Sequence, residues 1–552
     1  MPKKIVELID ATFSDSFYET YGFVSKDMLL SSFKAASKAN IKYMEIGGNI
    51  SFLSSIYHLQ EAAFSDFNEI RKHIAEDINL QVASYSMGGF SSEFLDYELL
   101  KKFAGILSRH QITTVRTYDP LNSLENIDFS AQLYEQNGLL NDITLLIPNG
   151  SYDMSSYIAF LEQLKYSYLF FNSLSIIDLF GTASSTFIYE LVTIAKEILG
   201  EHSFVSLGIK NSTSTALLAY VAAIDAGVDG LYLSNNIADY AYSYPDMLTL
   251  MNVGKDLNFI FNQVEKKDII EYKNTLKRVV EKIPTKNKQA PTSEAFEYLV
   301  PLDEREFFKN RILNSNDEEL IRKRALIFKE FNEIVEALNL KSISKPFSNN
   351  IFNQAINNIK YGAWEKIDES FMKNIIHNSA LFEIQSPKLQ AIVQKYKDFD
   401  FYTNSYEEAI DKLLQNKNMV ICDETIIIAT ISEVLEEKVN IFNEIKEESF
   451  HIELGSKEYL VKIKEGSEEL EILKQSQQSD YTLLLKTEQK ALIKEIRVLI
   501  GEEVVEGQVL MILEVGDKEI EVVAKIDGFV ENIYVQEGDE LKANEKLLLL
   551  AV

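Results

Sequence analysis

Eight short apolar runs recur between residues 6 and 234, and each is followed by a longer stretch whose apolar residues return every three or four positions. The runs fall at 6–10, 43–46, 80–84, 114–118, 143–147, 174–178, 204–208 and 230–234. Runs of four to six apolar residues read as buried strands, and the intervening patterns, such as 96–109 and 155–166, read as amphipathic helices. A strand cannot pair in parallel with the next one without a crossover, so eight such units in about 250 residues predict a TIM (β/α)8 barrel. In that architecture chemistry sits at the C-terminal ends of the strands, so candidate functional residues are sought there.

The C-terminal end reads differently. Segments 496–507 and 533–544 are two copies of one pattern, an alternating strand, a glycine turn and a second strand. Short strands with period-two alternation and Gly punctuation indicate hairpins, and a doubled unit of this kind predicts a small flattened all-β barrel over 485–552. The hairpin between the copies runs from Glu514 to Gly528. Between barrel and hairpins, 257–400 is rich in Lys, Glu and Asn with heptad-like apolar positions and reads as a helical extension, in which Asp317, Glu318 and Glu319 mark a solvated face. Residues 401–484 read as a small α/β linker domain with a hairpin over 450–463 turning at Gly455 and Ser456, and the acidic 465–480 reads as a tether. The domain reading is thus 1–256, 257–400, 401–484 and 485–552.

Charge and residue usage narrow the function classes. A formal charge of −29 argues against nucleic acid, whose phosphates require Lys/Arg stripes, and against anionic lipid. The single cysteine, Cys422, excludes a disulfide framework and a cysteine-rich metal cluster. No run approaches the ~18 apolar residues of a membrane span, and the start carries no apolar signal core, so a soluble cytoplasmic protein without membrane insertion is expected. Nucleotide-binding loops, Ser/His/Asp triads and a cysteine nucleophile are not found.

The strand ends carry a further pattern: Asp10-Ala11-Thr12-Phe13-Ser14-Asp15, Met44-Glu45-Ile46-Gly47-Gly48, Val115-Arg116-Thr117-Tyr118-Asp119-Pro120-Leu121-Asn122, Ala223-Ile224-Asp225-Ala226-Gly227 and Ala290-Pro291-Thr292-Ser293-Glu294. Together with the C-terminal hairpins, they resemble the biotin-dependent carboxyltransferase family, that of the carboxyltransferase part of pyruvate carboxylase and the oxaloacetate decarboxylase α subunit, over nearly the whole chain. The resemblance implies a divalent metal in the barrel mouth that polarises a keto acid, held by the first Asp of the opening motif, a carbamylated lysine ending the sixth strand and two histidines ending the seventh. Here Asp10 is retained, but Ile177 stands for the lysine, and Gly208 and Lys210 stand for the histidines. Isoleucine and glycine side chains donate no lone pair, and a protonated lysine repels a cation. None of His58, His73, His110, His202, His377 and His451 stands in a His-x-His or His-x-x-x-His spacing. The family's carboxylate-binding arginine aligns with Tyr85, and the opening motif's Arg and Gln become Ser14 and Tyr18. Arg116, Asp119 and Asp178 keep their family positions, Arg116 reading as a barrel ion-pair residue.

At the hairpin tip the family's Glu-Ala-Met-Lys-Met places the biotinylated lysine on Asp517, with Gly516 and Lys518 where the methionines stand. Gly516-Asp517-Lys518 also resembles the lipoyl tip, which leaves Lys518 as the alternative attachment site for biotin or lipoate. The expectation is therefore a catalytically degenerate homologue without a cofactor, acting as a structural or regulatory subunit beside itself or beside an active carboxylase or decarboxylase homologue. A sensor built into the barrel mouth is compatible with that reading. The alternative is an active enzyme on pyruvate or oxaloacetate using Lys518. At the mouth itself, Lys210 is expected to neutralise Asp10 where the family holds its metal, or else to serve as a Schiff-base lysine.

Overall fold

The structure is a computed structural model. It describes residues 3–16, 26–48, 70–91, 93–150, 153–167, 169–235, 241–254, 257, 259–280, 290–315, 317–397, 406–407, 409–410, 423–429, 447–454, 457–464, 471–473, 482–486, 490–498, 502–505, 507–516, 518–524, 528–542 and 545–551. Tyr18, Asp517, His58, Cys422 and the 455–456 turn lie outside them. Two compact units divide the chain, Met1–Ile445 and Lys446–Val552.

In the first unit eight parallel strands close on themselves. They are β1 (Lys4–Asp10), β2 (Tyr43–Gly47), β3 (Asn79–Tyr85), β4 (Thr114–Tyr118), β5 (Leu140–Leu146), β6 (Ser173–Asp178), β7 (Phe204–Ile209) and β8 (Gly230–Leu233). Each pairs in parallel with the next, and β1 pairs with both β2 and β8. The eight sequence-predicted runs all land on these strands. A ninth strand, β9 (Phe259–Phe261), pairs with the N-terminal half of β1, where a purely helical extension was expected. Helices begin where a short polar side chain replaces the missing intrahelical acceptor: Asp96, Ser123, Asp153 and Ser184 each accept a hydrogen bond from a first-turn N–H.

Alternation along the strands sorts their side chains into two shells. Outward-facing residues such as Leu8, Leu80, Val115, Ile143, Leu174 and Val205 pack under the surrounding helices in one apolar core. The inward shell is layered, and its middle layer is polar instead of aliphatic. Glu45, Gln81, Arg116, Asp142, Ser175, Ser206 and Tyr232 are all at least nine-tenths buried and linked to one another. Arg116 donates to both oxygens of Glu45 at 2.6 and 2.9 Å, and Gln81 donates to Glu45 at 2.9 Å and to the Tyr232 hydroxyl at 2.6 Å. Tyr232 and Ser175 donate to Asp142 at 3.1 and 2.5 Å. A polar interior is stable only when every member is partnered, as here, because an orphaned buried group bears its full desolvation cost.

The helical extension belongs to the same unit and has its own core, built around Phe308, Phe331, Phe347, Phe352 and Phe371. Asn149, at the mouth end of β5, anchors it by donating to the carbonyls of Ala295, Phe296 and Tyr298 at 2.9–3.1 Å.

In the second unit β10 (Glu447–Leu454), β11 (Lys457–Lys464) and β12 (Glu471–Leu473) form an antiparallel sheet. Part of the expected tether is thus a strand, because Leu460, Val461 and Lys462 of β11 offer backbone groups that β12 pairs. The remaining strands are β13 (Thr482–Lys486), β14 (Ala491–Ile496), β15 (Glu503–Val504), β16 (Val509–Val515), β17 (Lys518–Val523), β18 (Gly528–Ile533), β19 (Glu540–Leu541) and β20 (Lys546–Ala551). They form two four-stranded sheets, β13-β20-β18-β15 and β17-β16-β14-β19, around a core that includes Ile493, Leu510, Val530 and Leu548. The expected flattened all-β barrel is present.

Candidate active site at the barrel mouth

A cavity of about 130 Å³ opens where the C-terminal ends of the strands meet the helical extension. Its floor is the mouth layer of the inward shell. Two residues up from Ser175 on β6 comes Ile177, and two up from Ser206 on β7 comes Gly208, paired in register with Ile177. Ile177 is fully buried against Ile9, Ala11, Leu146, Tyr232 and Tyr244. A Cβ placed on Gly208 would stand 2.7 Å from Ile177 Cδ1 and 2.9 Å from Tyr244 Cε1, so the space beside the strand is already full of hydrocarbon.

Above that floor lies a buried ion pair. Lys210 Nζ donates to Asp15, whose other oxygen accepts from Ser234 Oγ at 3.1 Å and from the Tyr244 backbone N–H at 2.6 Å. The ammonium also stands 5.1 Å from the centre of the Tyr244 ring. Burial raises the Asp15 carboxyl, and the Lys210 charge opposes that rise.

The partner of Lys210 is therefore Asp15, which corrects the expected Asp10–Lys210 pair. The reason is parity. Ile9 and Ala11 face into the barrel, so Asp10 faces out, where it accepts from Thr12 N at 2.9 Å, from Thr12 Oγ1 at 2.5 Å and from the Tyr272 hydroxyl at 2.8 Å. Burial pushes it up to about 6 against those three hydrogen bonds. Asp15 reaches the mouth because the single π-helical turn Thr12–Ser16 carries the chain back over the end of β1. The alternation of Ile9 and Ala11 around Asp10 is the sequence signal for this.

The other motif residues divide by role. Arg116 is the barrel ion-pair residue: burial alone would lower its guanidinium, and Glu45 overrides that and holds it well above its ordinary value. Both Arg116 and Glu45 reach the cavity from below, and Ser14 Oγ donates to Glu45 at 2.8 Å. Asp119 and Asp178 organise loops. Asp119 accepts from Ser86, Leu121, Ser123 and Asn126, and Asp178 accepts four backbone N–H bonds, from Phe180, Gly181, Thr182 and Ala183, at 2.8–2.9 Å. Tyr85 is 1 % exposed and packs near Phe94 and Tyr118 instead of lining the cavity. The roof comes from the extension: Pro301, Asp303 and Glu304 at the start of the helix Leu302–Leu313, and Lys345. Glu304 accepts from Lys345 N at 3.0 Å and from Ser348 Oγ at 2.5 Å, and burial raises it to about 7 against the pull of Lys345.

Comparison with solved structures places this arrangement. The carboxyl transferase domain of Rhizobium etli pyruvate carboxylase with pyruvate superposes with a TM-score of 0.65 at 14% identity, covering 83% of this chain and 84% of that one. The same domain with pyruvate and biocytin gives 0.66 at 11% identity, covering 95% and 89%. This chain has the carboxyl transferase fold. The complete multifunctional pyruvate carboxylase from Rhizobium etli gives 0.65 at 14% identity and is matched over 100% of this chain, which spans 57% of that protein. Residues 485–550 match the family model described as "Biotin-requiring enzyme". No curated protein matches the chain in sequence.

The metal that the resemblance implies does not fit the residues present. Ile177 and Gly208 offer no donor, Asp10 faces away from the mouth, and Asp15 and Glu45 are already neutralised by Lys210 and Arg116. Among the described residues no three His, Cys, Asp or Glu side chains converge on a point that would hold a cation. Nor, among them, is any helix long and apolar enough to cross a membrane. In the C-terminal unit Lys518 is exposed and is the first residue of β17, paired with Val515, the last residue of β16. Its neighbour Glu519 bridges to Lys494 at the surface.

Proposed function

We propose that this chain is a non-catalytic member of the biotin-dependent carboxyltransferase family, acting as a cytoplasmic structural or regulatory subunit. The observation that carries the reading is the mouth layer: Ile177, Gly208 and Tyr244 fill with hydrocarbon the space where a polarising metal would stand, and Lys210 occupies the Asp15 carboxylate. A keto acid placed there meets neither an electrophile for its carbonyl nor, with Tyr85 in place of the arginine, the bidentate fork that fixes its carboxylate. Lys518 lies on a strand beside the turn, which favours an unmodified hairpin over a biotin- or lipoate-bearing one. Retention of both folded ends supports a role in assembly, with a second copy or an active carboxylase or decarboxylase homologue as partner.

The test is made on protein purified from its own host, by metal analysis, intact mass and an oxaloacetate decarboxylation assay. No stoichiometric metal, the unmodified chain mass and no turnover are expected. One equivalent of zinc or manganese, a biotinyl or lipoyl adduct on Lys518, or turnover above the metal-free background would overturn the reading.

A further inference from the structure

Once the ion pairs of the mouth are made, polar groups of both kinds remain on its wall. The hydroxyls of Tyr118 and Tyr244 make no hydrogen bond among the described residues, although Tyr244 is 3 % exposed and both rings line the cavity. Burial drives both phenols upward, so each remains a donor at any physiological pH. The Lys345 ammonium lies 4.2 Å from the centre of the Phe307 ring and joins no ion pair among the described residues. Opposite in sign, the Asp303 carboxylate accepts no hydrogen bond and joins no ion pair there. Of these groups only Tyr244 is buried; Tyr118, Lys345 and Asp303 are half-buried at the cavity wall, so all four stand open to a molecule bound in it.

The occupant follows from what these groups lack. Two phenols and an ammonium call for an acceptor such as a carboxylate, and Asp303 calls for a cationic donor. Asp15 and Glu45 are engaged by Lys210 and Arg116, and Glu304, raised to about 7 by burial, already accepts from Lys345 N and Ser348 Oγ. A simple anion would leave Asp303 unanswered, and a simple amine would leave Lys345 and the phenols unanswered. The cavity of about 130 Å³ has room for roughly ten waters by the same measure, the size of a small metabolite. Ala83, Leu146, Leu179 and Pro301 supply an apolar wall.

Resting on the non-catalytic reading above, we propose that the barrel mouth is a binding site for a small zwitterion, an α-amino acid with a short apolar side chain. Its carboxylate meets Lys345 and the tyrosine hydroxyls, and its ammonium meets Asp303. The mouth thereby becomes the sensing site of a regulatory subunit.

Isothermal titration and thermal shift on the full chain, with L-alanine, L-valine, propionate, pyruvate and ethylamine as probes, test this. An amino acid is expected to bind about tenfold or more tightly than the singly charged probes, since forgoing one charge-assisted hydrogen bond weakens binding by about that factor. Asp303→Asn is expected to abolish that advantage while leaving propionate binding unchanged, and Lys345→Gln to remove binding of both acids. Propionate or pyruvate binding as tightly as alanine, no signal from either amino acid, or full alanine affinity in Asp303→Asn would overturn the proposal. Turnover of oxaloacetate would instead overturn the non-catalytic reading, and alanine binding in the same protein would leave the site standing.

Discussion

Adding one methyl group to Gly208 probes the filled mouth most directly. The backbone of Gly208 does not adopt a positive φ, so alanine is conformationally allowed there and would by itself gain about 0.4–1 kcal/mol from the unfolded state. Packing reverses that sign. The new Cβ would stand 2.7 Å from Ile177 Cδ1, 2.9 Å from Tyr244 Cε1 and 3.2 Å from Tyr232 Cβ, and overfilling of this kind costs about 1–3 kcal/mol. Gly208→Ala is therefore expected to lose about 1–2 kcal/mol of stability. Ile177→Val removes the nearest clashing atom and alone costs about 0.5–1.5 kcal/mol. The double variant should lose less than the two single losses together, by about 1 kcal/mol, because the valine leaves room for the alanine. Urea unfolding read by Trp fluorescence is the assay. The one tryptophan, Trp364, is half-buried against the core of the helical extension, so its signal follows the unit containing the barrel and not the C-terminal unit. Strict additivity, or a neutral Gly208→Ala, would show that the mouth layer is loosely packed and would remove the main support for the non-catalytic reading.

Two further outcomes are expected. Lys210→Met strands the Asp15 carboxylate in the interior and should cost about 3–5 kcal/mol, whereas Asp15→Asn with Lys210→Met should recover most of that loss, since breaking a buried pair costs more than replacing it; an unfolding series on both variants checks this. Asp10 and Asp142 are each raised to about 6 by burial, so the folded state holds protons that the unfolded chain has released. Their contribution to stability is complete below about pH 4 and is lost as pH rises through 6. Asp10→Asn is expected to flatten the fall in unfolding free energy between about pH 4 and pH 6, and an unchanged slope would place the proton uptake elsewhere.

Much of the mouth is legible one strand at a time. Ile177 and Gly208 stand at inward positions of β6 and β7 as the strand ends imply, Lys210 follows directly after β7, and Arg116 is paired with Glu45 as an ion-pair residue. Asp10 departs from expectation because motif position and strand parity point in opposite directions there: flanked by inward Ile9 and Ala11, it has to face the helices. Asp303 and Glu304 carry no sequence signal, since they reach the cavity from a segment that lies far beyond the last barrel strand; Lys345 reaches it from the same extension, in the stretch 344–349 that resembles the family's Thr-Pro-Ser-Ser-Lys.

By itself the sequence determined the two architectures and the residue types at the strand ends, where Ile177 and Gly208 carry no metal donor. Strand and helix periods are local, and the presence or absence of a lone pair is a property of a residue type. Tertiary structure alone decided what stands at the mouth in place of those donors. Whether Asp15 or Asp10 meets Lys210 depends on a π turn at the end of β1, and the polar layer from Glu45 to Tyr232 exists because closing the barrel brings seven strands within hydrogen-bonding reach. Contacts of that kind join residues far apart in the chain, and the free energy that selects them is defined only once the fold has brought them together.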